Sequence, residues 1–208
     1  MTTSENSIIL TVGHSNHSIR TFVWLLQKHN ITALADVRSV PYSRFNPQFN
    51  CEQLKESLLQ YSIRYAFFGQ ELGGRSNDPA CYQNGRVQYA CLAQSNEFRK
   101  GINRIIRSAE NYRIALMCSE KDPLECHRTL LVARVLDELG VRVQHILANG
   151  SLETHEEAMQ RLLNLVGLPL QDLFRSRDEL IAEAITSQEE RVAYVDKKLL
   201  AEATGTRQ

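Results

Sequence analysis

Apolar and polar positions along the chain fall into blocks that alternate between strand-like and helix-like spacing. "IILTVGH" (8–14) is apolar, rich in β-branched residues and ended by Gly13, which predicts a buried strand. In "SIRTFVWLLQKHN" the apolar residues Ile19, Phe22, Val23, Leu25 and Leu26 share one helical face, with Ser18 as the N-cap. "ITALADV" reads as the second strand, and Pro41 and Pro47 break the chain after it. "NCEQLKESLLQYS" predicts a second helix capped by Asn50, with Gln53 three residues on in a near capping box. "IRYAFFG" predicts the third strand. The stretch from Gln70 to Asn96 has weak periodicity and reads as one long loop. Helical spacing returns in "EFRKGINRIIRSAENY". "RIALMCS" is the fourth strand, "HRTLLVARVLDELG" a helix stopped by Gly140, and "VRVQHIL" the fifth strand.

This alternation predicts an α/β fold of about five mostly parallel strands flanked by helices, Rossmann-like or flavodoxin-like. Beyond Asn149 the pattern becomes helical: "SLETHEEAMQRLLNLVGL" is amphipathic, and "DLFRSRDELIAEAITSQEERVAYVDKKLLAEA" is charged, in one or two pieces. The expected division is an α/β domain over 1–149 carrying the site and a helical extension over 150–208. That extension packs on the sheet's edge, or on a second copy in a homodimer.

Charge adds a restriction. Lys+Arg and Asp+Glu number 24 each, so any attraction to nucleic acid or an anionic ligand has to be local. No apolar run approaches the roughly 20 residues that span a bilayer, and "MTTSENS" lacks the features of a secretory signal. The five cysteines are an odd number in a chain that is not small. With no export signal, reduced thiols and a cytoplasmic location are expected, with Cys51, Cys81 and Cys91 as ordinary free thiols.

Candidate chemistry collects after the predicted strands, where open α/β sheets bind ligands. "GHSNHS" follows strand one, and His14 and Ser15 sit at a turn into a helix that either favours an anion or merely caps. Asp36 and Arg38 share a face at the end of strand two. They form a structural ion pair, or Asp36 orients a catalytic group while Arg38 binds an anion, with Arg44 adding a second guanidinium. "ELGGR" sets Gly73 and Gly74 before Arg75, which suits a plain turn or a close approach of backbone to a ligand. No Walker or dinucleotide fingerprint occurs, and no cofactor is expected.

"CSEKDPLECHR" (118–128) is the densest segment. A cysteine at a helix start beside His127 and Arg128 has a depressed thiol pKa. Three readings stay open. Zinc would draw on Cys118, Cys126, His127 and His145, against which stands the rarity of adjacent residues such as Cys126 and His127 reaching one ion. Covalent catalysis would use Cys118 or Cys126 with Glu120 or His127 moving protons. Noncovalent binding would rest an anion on Arg128 and the helix N-terminus.

The segments "TVGHSNHS", "DVRSVPYSR", "ELGGR", "LMCSEKDPLECHR" and "HIL" resemble, in order and spacing, the domain of unknown function 488 family, over roughly residues 8–148. The resemblance implies a small bacterial or archaeal α/β protein and brings no reaction with it. It groups His14, Asp36, Arg38, Arg44, Arg75, Cys118, Glu120, Cys126, His127 and Arg128 as one constellation. The expected function is an enzyme acting on a phosphate-bearing or other anionic substrate, a nucleotide or nucleic acid included, with Arg38, Arg44, Arg75 and Arg128 holding the anion, Asp36, Glu120 and His14 handling protons, and Cys118 or Cys126 as any nucleophile. Against it stand a non-catalytic ligand- or nucleic-acid-binding module, with stacking on Tyr42, Phe45 and Tyr65, and a metal-binding protein.

Overall fold

A computed structural model describes residues 8–205. The polar start "MTTSENS", on which the reading of a missing export signal rests, lies outside the described residues. The central sheet has six strands: β1 (Ile8–Gly13), β2 (Ala33–Asp36), β3 (Arg64–Phe67), β6 (Ile114–Cys118), β7 (Arg142–Ile146) and β8 (Leu152–Thr154). A two-stranded hairpin, β4 (Tyr82–Gln83) and β5 (Arg86–Val87), stands apart from it. The order is β3-β2-β6-β1-β7-β8, parallel throughout except for the antiparallel last strand. This is the expected α/β sheet with one more strand than the periodicity suggests. The extra strand comes from "LET" beyond Asn149, inside a segment that reads as the start of a helix.

Alternation along the strands sorts the core into two layers. Leu10 and Val12 of β1, with Ala115 and Met117 of β6, face one layer, packed by α1 (Ile19–Lys28) and α2 (Cys51–Leu59) through Phe22, Leu26, Leu54 and Leu58. Ile9, Ile114, Leu116 and Cys118 face the other. That layer is covered by α5 (Asn96–Ser108), a buried π-helical turn (Arg128–Ala133) continuing into α6 (Arg134–Glu138), α7 (His155–Val166) and α8 (Arg177–Val192). Period-two side chains on strands covered on both faces account for the nearly continuous apolar runs in the sequence.

The predicted long loop is largely ordered. It holds α3 (Gly69–Leu72), the β4–β5 hairpin and α4 (Tyr89–Gln94). Cys81 and Cys91, expected as free thiols, are joined in a disulfide across this hairpin. Spacing could not reveal the pairing, because only the hairpin's fold-back brings their Cα atoms to 5.4 Å. Cys51, Cys118 and Cys126 are free.

Caps follow the same logic of local competition. Ser18 caps α1 by accepting from Thr21 N–H. Asn50 does not cap α2 with its side chain: its Oδ1 accepts instead from Ser43 N–H, bracing the proline-containing loop. Two full capping boxes stand where none was expected, Thr154 with Glu157 at α7 and Ser176 with Glu179 at α8. The charged tail is indeed in two pieces, α8 and α9 (Lys197–Gly205). Among the described residues no helix is long and apolar enough to cross a membrane.

Candidate active site

The β1–β6 ladder continues past the strand ends and builds the floor of the site. His14 N–H donates to Cys118 O and Ser15 N–H to Ser119 O, each at 2.9 Å. Residues 118–121 therefore lie directly across Gly13. A Cβ at position 13 would stand 1.8 Å from Glu120 O, so only glycine admits this crossing. Arg128 secures the crossing segment from below. It is fully buried and donates from Nη1 to Glu120 O at 2.7 Å and from Nη2 to Lys121 O at 3.3 Å. On the far side of the loop, Asp122 accepts from Leu124 N–H and pairs with Arg161 of α7, while Gln188 of α8 donates to Leu124 O.

Above this floor opens a cleft of about 450 Å3, lined by Arg38, Ser39, Tyr42 and Ser43 after β2, Gly74 and Arg75 after α3, and Cys118–Glu120 with Glu125–His127. Tyr89, Val192 and Tyr194 complete the wall. The C-terminal segment is thus part of the cleft. Val87 N–H donates to Tyr194 O, and Glu189 accepts from Tyr89 N–H. Nothing in the amphipathic pattern of that tail signalled a contribution to the site.

Four reactive groups meet at the cleft floor. Cys118 Sγ and Cys126 Sγ lie 3.7 and 3.8 Å from His127 Nδ1. Cys126 Sγ is hydrogen-bonded to Glu120 Oε2 at 2.9 Å and accepts from Arg128 N–H at 3.4 Å. His127 Nε2–H donates to Val37 O at 2.9 Å, which turns Nδ1 toward both sulfurs. The two sulfurs and Nδ1 all lie within 4.8 Å of one another and form, among the described residues, a donor set close enough to hold a metal ion.

Adjacent Cys126 and His127 converge, against expectation. Cys126 is extended (φ −142°, ψ 140°) and His127 is helical (φ −58°, ψ −24°). Along a strand neighbouring side chains point oppositely, and along a helix they differ by about 100°. At a junction between the two, both can aim at one point. His145, the fourth expected zinc ligand, is turned away: it is fully buried and bonded to Thr11 Oγ1 and His155 Nδ1.

The charges at the floor are strongly coupled. Burial pushes the Cys126 thiol up, but its hydrogen bond to Cys118 and the positive Arg128 and His127 outweigh this and hold it well below the ordinary thiol value. Burial and the neighbouring Cys126 and Glu120 drive Cys118 well above it. Burial, then the charge of Cys126, also raises the Glu120 carboxyl. Burial lowers His127, but Cys126 and Glu120 more than restore it, so it ends above the usual histidine value.

The remaining predicted residues are placed differently. Arg38 lines the cleft but is nearly buried and engaged: Nε and Nη2 grip Asp36 at 2.9 and 2.6 Å, and Nη2 also donates to Phe49 O. Asp36 is fully buried, takes a further hydrogen bond from Tyr65 O–H, and does not reach the cleft, so the structural ion pair is what forms. His14 lies beneath Arg38, stacked on Phe49. Its Nδ1–H donates to Ser15 O and its Nε2 accepts from Arg38 Nη1. Burial lowers its pKa to about 4, so it stays neutral and is no proton carrier for the cleft. Ser15 adopts φ 49° and spends its amide on Ser119 O, not on a ligand.

Arg128 is the largest correction. It serves carbonyl oxygens inside the protein and is not among the cleft residues. Arg44 lies outside the cleft with its guanidinium over Phe45. Gly73 and Gly74 admit protein neighbours in place of a ligand, Ser39 and the His127 ring respectively. A Cβ on Gly74 would be 2.9 Å from His127 Cγ. Arg75 alone of the expected anion holders stands exposed at the rim, stacked on Tyr194 at 4.1 Å. Ser39, Ser43, Ser119, Tyr89 and Tyr194 went unrecognised as cleft residues, and single serines or tyrosines carry no signal that would single them out.

Fold and site together define an α/β protein with a cysteine–histidine–glutamate cleft at the C-terminal edge of a parallel sheet. The family model described as "Domain of unknown function DUF488" matches residues 18–135, more than half of the chain, and the chain belongs to that family. No curated protein and no solved structure matches it.

Proposed function

We propose that the cleft is the active site of an enzyme acting on a small polar substrate that carries an anionic group. One observation carries this reading: Cys118, Glu120, Cys126 and His127 meet at the floor of a solvent-open cleft, beneath an arginine at its rim. Reactive side chains that perturb one another inside a cleft are the usual sign of a catalytic site. Arg75 makes no ion pair among the described residues and is the anion holder. Glu120 is the proton-transfer group, since its carboxylate lies beside the sulfur–imidazole cluster and lines the cleft. Arg38, His14 and Asp36 shape the wall without touching substrate.

The test is turnover of a panel of phosphate monoesters, phosphate diesters, nucleotides and carboxylate esters. Glu120→Gln lowers kcat by about 100-fold or more. Arg75→Ala raises KM about tenfold while kcat is nearly kept. Undiminished turnover by Glu120→Gln, or an unchanged KM in Arg75→Ala, overturns those roles. Failure of the wild type on every anionic substrate overturns the reading.

A further inference from the structure

The two sulfur–nitrogen distances in the cluster of Cys118, Cys126 and His127 match a metal's coordination sphere, and the two sulfurs lie within 4.8 Å of each other. With Zn–S near 2.3 Å and Zn–N near 2.05 Å in a tetrahedron, sulfur and nitrogen ligands stand roughly 3.6 Å apart. The observed separations are 3.7 and 3.8 Å. The imidazole is also held as a metal-binding histidine is held: Nε2–H donates to a backbone carbonyl, Val37 O, and Nδ1 points at the sulfurs. Gly74 packs against the ring and fixes its plane. The Arg128 amide, donating to Cys126 Sγ, supplies a second outer partner.

We propose that Cys118 Sγ, Cys126 Sγ and His127 Nδ1 bind one Zn2+, with the fourth position open to the cleft. Three protein ligands and an open site are the pattern of catalytic zinc; a structural zinc takes four. Glu120 lies outside the group of mutually close donors, and its Oε2, 2.9 Å from Cys126 Sγ, is the carboxylate that would hydrogen-bond a water or substrate atom at the fourth position. Charge supports the assignment. Two thiolates neutralise Zn2+, and the carboxylate of Glu120 is then offset by the buried guanidinium of Arg128, so no net charge is buried. Binding forms two Zn–S bonds and one Zn–N bond in place of three bonds to water, and releases to solvent those waters and the protons held on the sulfur and imidazole donors. His145, bonded to Thr11 and His155, is no ligand.

The inference deepens the reading of the cleft as an active site, but its test uses no substrate. Full-length protein is purified without chelator, and its zinc is counted by mass spectrometry. It is then stripped and titrated with Co2+. The expected results are about one zinc per chain, and a tetrahedral visible spectrum with an intense thiolate-to-cobalt band in the near ultraviolet at one equivalent. Cys118→Ser and Cys126→Ser each weaken that band, and the double variant abolishes it. Cys51→Ser, which changes a free thiol not included in the cluster, leaves it intact. A wild-type chain without zinc, or a Co2+ spectrum lacking the sulfur band, overturns the inference whether or not the variants fold. A purified chain that holds no zinc, binds no Co2+ through sulfur and still turns over an anionic substrate would overturn the zinc and spare the active-site reading. Stoichiometric zinc without turnover of any anionic substrate would do the reverse.

Discussion

The Asp36–Arg38 pair is the sharpest place to test how the cleft wall is held. Both side chains are buried, and Asp36 accepts four hydrogen bonds: from Arg38 N–H at 3.1 Å, Nε at 2.9 Å and Nη2 at 2.6 Å, and from Tyr65 O–H at 2.8 Å. Asp36→Asn keeps the shape, removes the charge and turns one acceptor into a donor facing two donors. At least two hydrogen bonds to the former carboxylate oxygen are lost; at ~1.5–3 kcal/mol for each charge-assisted bond, that is roughly 3–6 kcal/mol. Breaking one partner of a buried ion pair independently suggests ~3–5 kcal/mol. The two routes agree on about 4 kcal/mol, roughly a quarter or more of the ~5–15 kcal/mol that holds a domain together.

The assay is urea unfolding followed by far-ultraviolet circular dichroism, on the wild type, Asp36→Asn, Asp36→Leu, Arg38→Met and the double variant Asp36→Leu with Arg38→Met, the last three with the wild type closing a double-mutant cycle. The double variant replaces both charges with apolar groups of similar size, so it should be more stable than Asp36→Asn and depart from additivity by about 2 kcal/mol or more. A loss below about 1 kcal/mol in Asp36→Asn would mean that the pair does not hold the wall. Additivity within ~0.5 kcal/mol would mean that the two charges are not coupled.

Two further outcomes follow from single features. His14 has a folded pKa of about 4, set first by burial, against 6.5 when exposed. The unfolded chain therefore binds the extra proton first, and stability is complete above about pH 6.5 and falls as pH drops towards 4. The loss at this site is about 3 kcal/mol. His14→Phe, which keeps the stack on Phe49, should flatten the unfolding free energy over that range by this amount, and parallel pH curves for the two proteins would contradict it. The Cys81–Cys91 bridge closes a short loop, so its reduction should cost up to about 3 kcal/mol. Alkylation of the denatured, unreduced chain should label three of the five cysteines, and labelling of all five would show that the bridge does not form.

The fold was largely legible because its strands are apolar on both faces and its helices keep one apolar stripe. Periods of 2.0 and 3.6 are local properties that survive in a single sequence. What escaped was set by partners distant in the chain. "LET" becomes a strand only because β7 offers an edge, and Cys81 meets Cys91 only because a hairpin turns between them. The site was half legible. Residue types at strand ends pointed to Cys118, Glu120, Cys126 and His127, and these four do meet in the cleft, since the end of a parallel sheet gathers whatever follows its strands. Which way a side chain faces could not be read. Arg38 and Arg128 look like anion holders in the sequence and are consumed by Asp36 and by backbone carbonyls.

The buried arginines explain how the reactive floor can exist. A loop carrying Cys118, Ser119 and Glu120 leaves the end of an inner strand, where exposed carbonyls would be costly in a water-poor core. Cys118 O and Ser119 O find amides in β1's continuation, and Glu120 O and Lys121 O find the Arg128 guanidinium. Gly13 gives the loop room to pass. Arg128 opens the π-helical turn, an irregularity often found at functional sites. Immediately before it, the change from extended to helical backbone aims Cys126 and His127 at one point. Arginine, glycine and helix junction thus act on the same few atoms. Altering any of them should disturb the sulfur–imidazole spacing before it disturbs the sheet, because these contacts lie at the last pair of the β1–β6 ladder or beyond it.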